Sequence, residues 1–326
     1  ILRFTLPIII GNVFQQLYNM VDAIIVGRFV GNQALAAVGA TGTIMFLILG
    51  FMQGLTTGFT VLTSQRFGAG DQQGLKRSVG NAALLSILVT ISATVLSLLG
   101  MKGLLRLMQT PEDIFEMSYT YICIICFGMW ANILYNLLAS LLRAVGNSKV
   151  PLYFLIISAG LNVVLDLVFI LIFQMQVAGA AWATVIAQGV SGILCLIYIA
   201  RRVPHLHPGK TNWKPHSIDS KNQIRIGVPM ALQFSITAIG TIIIQTALNL
   251  LGSTAVAAYT AAVKLEQLIT QPFCSMGQTM ATYCGQNMGK RDLKRMKQGV
   301  HTAELFTILY AIAGALFIIQ MVPFGV

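Results

Sequence analysis

The stretch PLYFLIISAGLNVVLDLVFILIF, residues Pro151–Phe173, is long and apolar enough to cross a bilayer, yet it carries Asn162 and Asp166. A spanning helix needs about 20 mostly apolar residues. An ionised Asp at mid-membrane costs roughly 2.5–3.5 kcal/mol on insertion scales. Asn162 and Asp166 are four apart, so they stack on one helix face, and Ser158 extends that face by a turn. A polar stripe of this kind belongs in a protein interior or a wet cavity, not against lipid.

The whole chain shares this character. Of its 326 residues 56% are hydrophobic and 10% charged, with a mean hydropathy of +0.77. Soluble domains carry about 25% charged residues, so the composition predicts an all-α polytopic membrane protein. Apolar runs predict nine spans: Thr5–Val26, Leu35–Leu62, Val79–Gly100, Tyr119–Leu142, Leu152–Phe173, Gly179–Ala200, Ile224–Leu250, Val256–Cys284 and Val300–Met321. No cleavable signal peptide is expected, because the first run holds Asn12, Gln15, Gln16 and Asn19. With no initiating Met, and an apolar run just before Val326, both ends read as trimmed.

The net charge of +11 raises nucleic acid as a partner, but its distribution points elsewhere. The connectors after spans two, four, six and eight hold 16 of the 21 Lys and Arg, Arg143 among them. The positive-inside rule then places these connectors and the N-terminus in the cytoplasm, and no nucleic-acid partner is expected. The longest connector, Arg201–Asn222, contains Pro204, Pro208 and Pro215 and reads as a linker between two bundles. Its His205, His207 and His216 read as solvated, since a metal site needs further ligands. Cys123 and Cys126 form a CxxC inside a span with no second pair, which predicts buried thiols and no metal or redox centre.

The linker separates two copies of one pattern. Shifting the chain by 221 positions lays G31-N-Q-A-L-A-A-V on G252-S-T-A-V-A-A-Y, Gln65 on Gln286, Gly68 on Gly289 and Asp71 on Asp292. Spans seven to nine thus repeat spans one to three in the same orientation, and a six-plus-six parallel repeat is a transporter architecture. The expected organisation is an N-terminal lobe over 1–203, a linker over 204–222 and a second lobe over 223–326 that lacks about three of its spans.

Two more stripes accompany the one on span five. Asn12, Gln15, Asn19 and Asp22 share a face of span one, with Tyr18 beside them, and span six carries Thr184, Gln188 and Ser191. Together they supply two carboxylates with amide and hydroxyl oxygens, hard ligands suited to a small cation or to protons. Small polar groups also hold membrane helices together by hydrogen bonds, an alternative that stands for the Ser, Thr and Gln members. Bare intramembrane carboxylates favour function.

P7-I-I-I-G-N-V-F-Q-Q-L-Y-N-M-V-D22-A-I-I-V-G-R28, with V30-G-N-Q-A-L-A-A-V-G39, resembles the first span of the multidrug and toxic compound extrusion (MATE) family. S64-Q-R-F-G-A-G-D71 and G285-Q-N-M-G289 are similar to that family's connectors after spans two and eight. The resemblance implies a monomeric two-lobed antiporter of the bacterial plasma membrane that expels cationic or amphiphilic drugs in exchange for Na⁺ or H⁺, with no cofactor. Its DinF-like branch implies a cation site of Asp22, Asn162, Asp166 and Thr184, which would also hold Na⁺ in a sodium-coupled member. Gln15, Tyr18, Asn19 and Gln188 are candidates for the substrate cavity. NorM-like relatives carry an acidic residue on span seven, where this chain has only Gln233, Gln245 and Asn249. Lys264 and Glu266 on span eight are the candidates there; two apart, they do not share a helix face.

Of three rival readings, the lipid-linked-precursor flippase stays as the alternative and the other two fail on the residues. An intramembrane aspartyl protease would use the GxGD at Gly68–Asp71, but that motif falls in a basic connector. A lipid-linked-precursor flippase would carry many basic cavity residues, where Lys264 is almost alone. Nucleotide binding lacks both a preceding strand and a following Lys-Ser/Thr.

Overall fold

The computed structural model describes residues 1–108, 110–249 and 253–325; the side chains of 210–211, 242, 245–249, 253–265, 267–268, 317–318 and 321–325 lie outside that description. Among the described residues the chain forms ten α-helices and no strand. They are α1 (Leu2–Phe29), α2 (Asn32–Gly68), α3 (Gln72–Leu107), α4 (Glu112–Phe127), α5 (Met129–Ala144), α6 (Lys149–Leu167), α7 (Gln176–Arg202), α8 (Ser217–Asn249), α9 (Ser253–Gly289) and α10 (Leu293–Gly325). Seven are long and apolar enough to cross a membrane, and α4 with α5 makes an eighth as one broken span. The chain is a multi-pass membrane protein. Leu88, Leu96 and Leu99 of α3 are among its exposed apolar side chains, as lipid-facing positions require.

The helices outrun the apolar stretches that forecast them. Apolarity marks only the part inside the bilayer, whereas a helix ends where its last carbonyls find other partners. α2 continues past Leu62 to Gly68 and stops where Gly70 takes φ 71° and Asp71 caps α3, its Oδ1 accepting from Gly74 N at 2.8 Å. The GxGD motif is therefore a turn and a helix cap. The same device recurs 221 residues on, where Arg291 has φ 59° and Asp292 Oδ1 accepts from Arg295 N at 3.0 Å. α2 and α9 are both 37 residues long and related by that shift.

Span four, expected as one helix, bends by 45° at Gly128. There the backbone sits against Val185 of α7 so closely that a Cβ would overlap that side chain. Span five runs on from α6 into a π-helical turn over Val168–Ile172, directly after Asp166.

The Pro-rich connector is tied down. α8 starts within it at Ser217, Leu206 is buried, and Gly80 of α3 meets the Asn212 carbonyl. Asp219, with a fully buried side chain, accepts from Arg77 Nε at 2.6 Å and from Arg66 Nη2 at 3.4 Å, with His216 Nδ1 at 3.6 Å. Beside it the buried Gln223 donates to the Phe59 and Ser78 carbonyls and accepts from Asn81 Nδ2. Asp219→Asn should lower stability by about 1.5–3 kcal/mol, the range for a hydrogen bond to a charged group. The two arginines, each about a third exposed, keep some water and hold the loss within that range. A thermal midpoint in detergent equal to that of the unmodified protein would contradict this.

Small residues let helices cross closely. Gly54 and Gly58 of α2 abut Ala231 and Gly227 of α8. At the connector end a Cβ on Gly68 would fall on the Gln286 carbonyl, and one on Gly289 on the Gln65 carbonyl. These four residues are repeat partners, so α2 and α9 meet through a reciprocal contact.

Candidate functional site

α1, α6 and α7 bring the three polar stripes together. Asp166 and Asn162 are buried one turn apart on α6, and Asp22 of α1 is 7% exposed. The Asp22 and Asp166 carboxyls lie within hydrogen-bonding reach of each other. Asn162 Nδ2 donates to Thr184 Oγ1 at 3.4 Å, and Gln188 Nε2 donates to the Tyr18 hydroxyl at 3.2 Å. Ser158 Oγ donates to the Ala187 carbonyl at 2.7 Å and fixes α6 against α7 one turn further on. Tyr18, Ser158, Asn162, Thr184 and Gln188 line one small pocket.

Acceptors outnumber donors in this cluster. Asp22 Oδ1, both Asp166 carboxylate oxygens, Asn162 Oδ1 and Gln188 Oε1 are buried without a hydrogen-bond partner. Two carboxylates in contact repel unless a proton or cation lies between them. The apolar cluster of Ile25, Val26, Tyr121, Ile170 and Val185 lowers the local dielectric and strengthens that requirement. Among the described residues no three His, Cys, Asp or Glu side chains gather. The donor set is two carboxylates with amide and hydroxyl oxygens, which suits a proton or a hard monovalent ion.

The stripe on α1 divides. Tyr18 and Asp22 enter the cluster and Gln15 reaches Tyr18. Asn12 instead donates to Ser275 Oγ of α9 at 2.9 Å, and Asn19 is exposed. Ser191 Oγ donates to the Gln188 carbonyl within α7, a bond that holds the helix surface only. Glu266 is exposed on α9, its carbonyl accepting from Thr270 Oγ1 at 2.9 Å. The side chains of Lys264, Gln245 and Asn249 lie outside the described residues. Tyr121 of α4 was missed by sequence reasoning: it is buried within electrostatic range of Asp22, Tyr18 and Asp166. No polar stripe on span four points to it.

Tyr18→Phe removes the acceptor for a buried Gln188 amide. It should lower stability by about 1–3 kcal/mol, the cost of leaving such a donor unmade. An unchanged thermal midpoint would contradict the bond.

The MatE family model matches residues 7–168 and 229–324. The "Probable multidrug resistance protein YpnP" of Bacillus subtilis is 30% identical over 295 residues, covering 90% of this chain and 65% of that protein. The "Probable multidrug resistance protein YoeA" of the same organism is 29% identical over 323 residues, covering 97% of this chain and 69% of that protein. Among solved structures, "Crystal structure of MATE in complex with MaL6" overlays with a TM-score of 0.92 at 24% identity, covering 99% of this chain and 72% of that one.

Proposed function

This chain belongs to the MatE family, and we propose that it is a secondary antiporter exporting cationic or amphiphilic drugs or metabolites in exchange for Na⁺ or H⁺. In this reading it lies in the bacterial plasma membrane with its N-terminus in the cytoplasm and acts as a monomer. Residues 1–203 form one lobe, 204–222 the linker and 223–326 the part of a second lobe present here. The two similar Bacillus subtilis proteins, each described as a probable multidrug resistance protein, support the substrate class.

One observation carries the reading: two buried carboxyls in contact, with surrounding oxygens that lack donors. Asp22, Asn162, Asp166 and Thr184 take up the coupling ion. Gln15, Tyr18, Asn19 and Gln188 line the drug path, and Lys264 and Glu266 contribute from the second lobe. With an ion between them the two carboxyls hold α1 against α6; without it they repel, and α1, weakened at Pro7, shifts. Ion and drug favour different arrangements and so compete through one shared equilibrium. No cofactor enters this cycle.

Ethidium efflux from proteoliposomes under an imposed Na⁺ or pH gradient tests the reading. One of the two gradients is expected to drive efflux. Folded protein that answers neither would sink it.

A further inference from the structure

The turn between α9 and α10 carries positive charge that the fold itself does not require. Over residues 290–297 it holds Lys290, Arg291, Lys294, Arg295 and Lys297 against one carboxylate, Asp292. All five cations are exposed, and among the described residues none of them makes an ion pair. Asp292 is occupied as the cap of α10. The turn after α2 is different, because there Arg66 pairs with Asp71 and Asp219, and Arg77 pairs with Asp219. The shift of 221 lays the five cations on Ala69, Gly70, Gln73, Gly74 and Lys76. The first copy thus builds the same turn with one cation at those five positions.

Arg291 sharpens the contrast. It takes φ 59°, in the left-handed region that favours glycine, where the first copy has Gly70 at φ 71°. Lys294 and Arg295 stand in the first turn of α10, the end at which a helix dipole favours anions over cations. The array is held in shape as well: Tyr283 Oη donates to the Arg295 carbonyl at 2.9 Å, and Gly299 sits against the Tyr283 ring.

The bilayer supplies the missing anion. Lys297 precedes the apolar run that begins at Val300 by three residues, about 4.5 Å along a helix. The headgroup layer is roughly 5–8 Å deep on each face of a bilayer, so these side chains reach it. Met288 and Leu293, 49% and 52% exposed, set apolar groups among the cations, as suits a surface at the boundary of headgroups and acyl chains. We propose that the α9–α10 turn binds the phosphates of anionic phospholipids, and that the α2–α3 turn does not. The proposal needs only the placement of α9 and α10 across a bilayer, so it stands apart from the antiporter reading.

Native mass spectrometry of the full chain, titrated with phosphatidylglycerol or with phosphatidylcholine of the same acyl chains, tests it. Phosphatidylglycerol should bind about tenfold more tightly, since each basic residue near an anionic headgroup adds to the attraction. Replacing Lys290→Gln, Arg291→Gly, Lys294→Gln and Arg295→Gln together should erase that preference and leave phosphatidylcholine binding unchanged. Arg201→Gln with Arg202→Gln, exposed cations at the end of α7, should leave the preference intact. A measurement on the unmodified protein stands whether or not the fourfold variant folds. Raising ionic strength from about 0.01 M to about 1 M shortens the Debye length from about 30 Å to about 3 Å, and the preference should collapse. Equal affinities in the unmodified protein, or a preference that survives the fourfold change or high salt, would overturn the proposal. An equal loss in the Arg201 and Arg202 variant would overturn it too, by assigning the effect to positive charge spread over the whole face. Binding is read without transport, so this failure and a failed antiporter reading are told apart.

Discussion

Asp166→Asn is expected to abolish gradient-driven ethidium efflux while the protein stays folded. The amide has nearly the shape of the carboxyl it replaces, so packing among Ile170, Val185 and Tyr121 survives. What disappears is the negative charge that needs a proton or cation between α1 and α6. Neither Asp166 oxygen accepts from a donor of another residue, and relief of repulsion from Asp22 should leave the thermal midpoint unchanged or raised. Ser191→Ala is the control: that hydroxyl bonds within its own helix, so efflux should stay near that of the unmodified protein. Folded Asp166→Asn that exports ethidium at full rate would remove the carboxyl pair from the mechanism.

Gly68→Ala and Gly289→Ala should each force α2 and α9 apart at their connector ends. In both cases the new Cβ would lie on a backbone carbonyl, of Gln286 or of Gln65, which cannot swing aside as a flexible side chain does. Overpacking of this kind costs about 1–3 kcal/mol, and occasionally more. Gln286 Nε2 also donates to the Ala144 carbonyl at 2.8 Å, so separation loosens the end of α5 as well. The readout is the thermal midpoint together with the distance between spin labels placed at the ends of α2 and α9. Gly39→Ala, where a Cβ meets nothing within 4 Å, should leave both readings unchanged. A Gly68→Ala protein with an unaltered midpoint and distance would contradict the close crossing.

What the sequence made legible follows from periodicity. Asn162, Asp166 and Ser158 share a face because they are spaced by four, and Thr184, four before Gln188 on α7, answers Asn162 while Gln188 reaches across to Tyr18 of α1. The internal shift was legible too, since Gly68 and Gln65 pair with Gly289 and Gln286 both in the alignment and in the packing. Periodicity does not say which neighbour a stripe meets. Asn12 belongs to the same face as Asp22 yet bonds to Ser275, because α9 packs beside α6 at that part of α1, where Gly11 meets Leu152 and Leu155 of α6. Tyr121 was hidden for another reason: it is an ordinary aromatic in an apolar run. Its surroundings come from contacts between distant helices, which no local pattern encodes. Helix ends were likewise misplaced, since caps such as Asp71 lie outside the apolar window.

The most direct test of the proposed ion site measures ion entry and ethidium exit together in the same proteoliposomes. Entrapped pH- and Na⁺-sensitive dyes would report uptake as ethidium leaves. Uptake of one ion in fixed proportion to ethidium, lost in both Asp22→Asn and Asp166→Asn, is the expected result. Ethidium export with no uptake of either ion, or uptake that persists without both carboxyls, would contradict it.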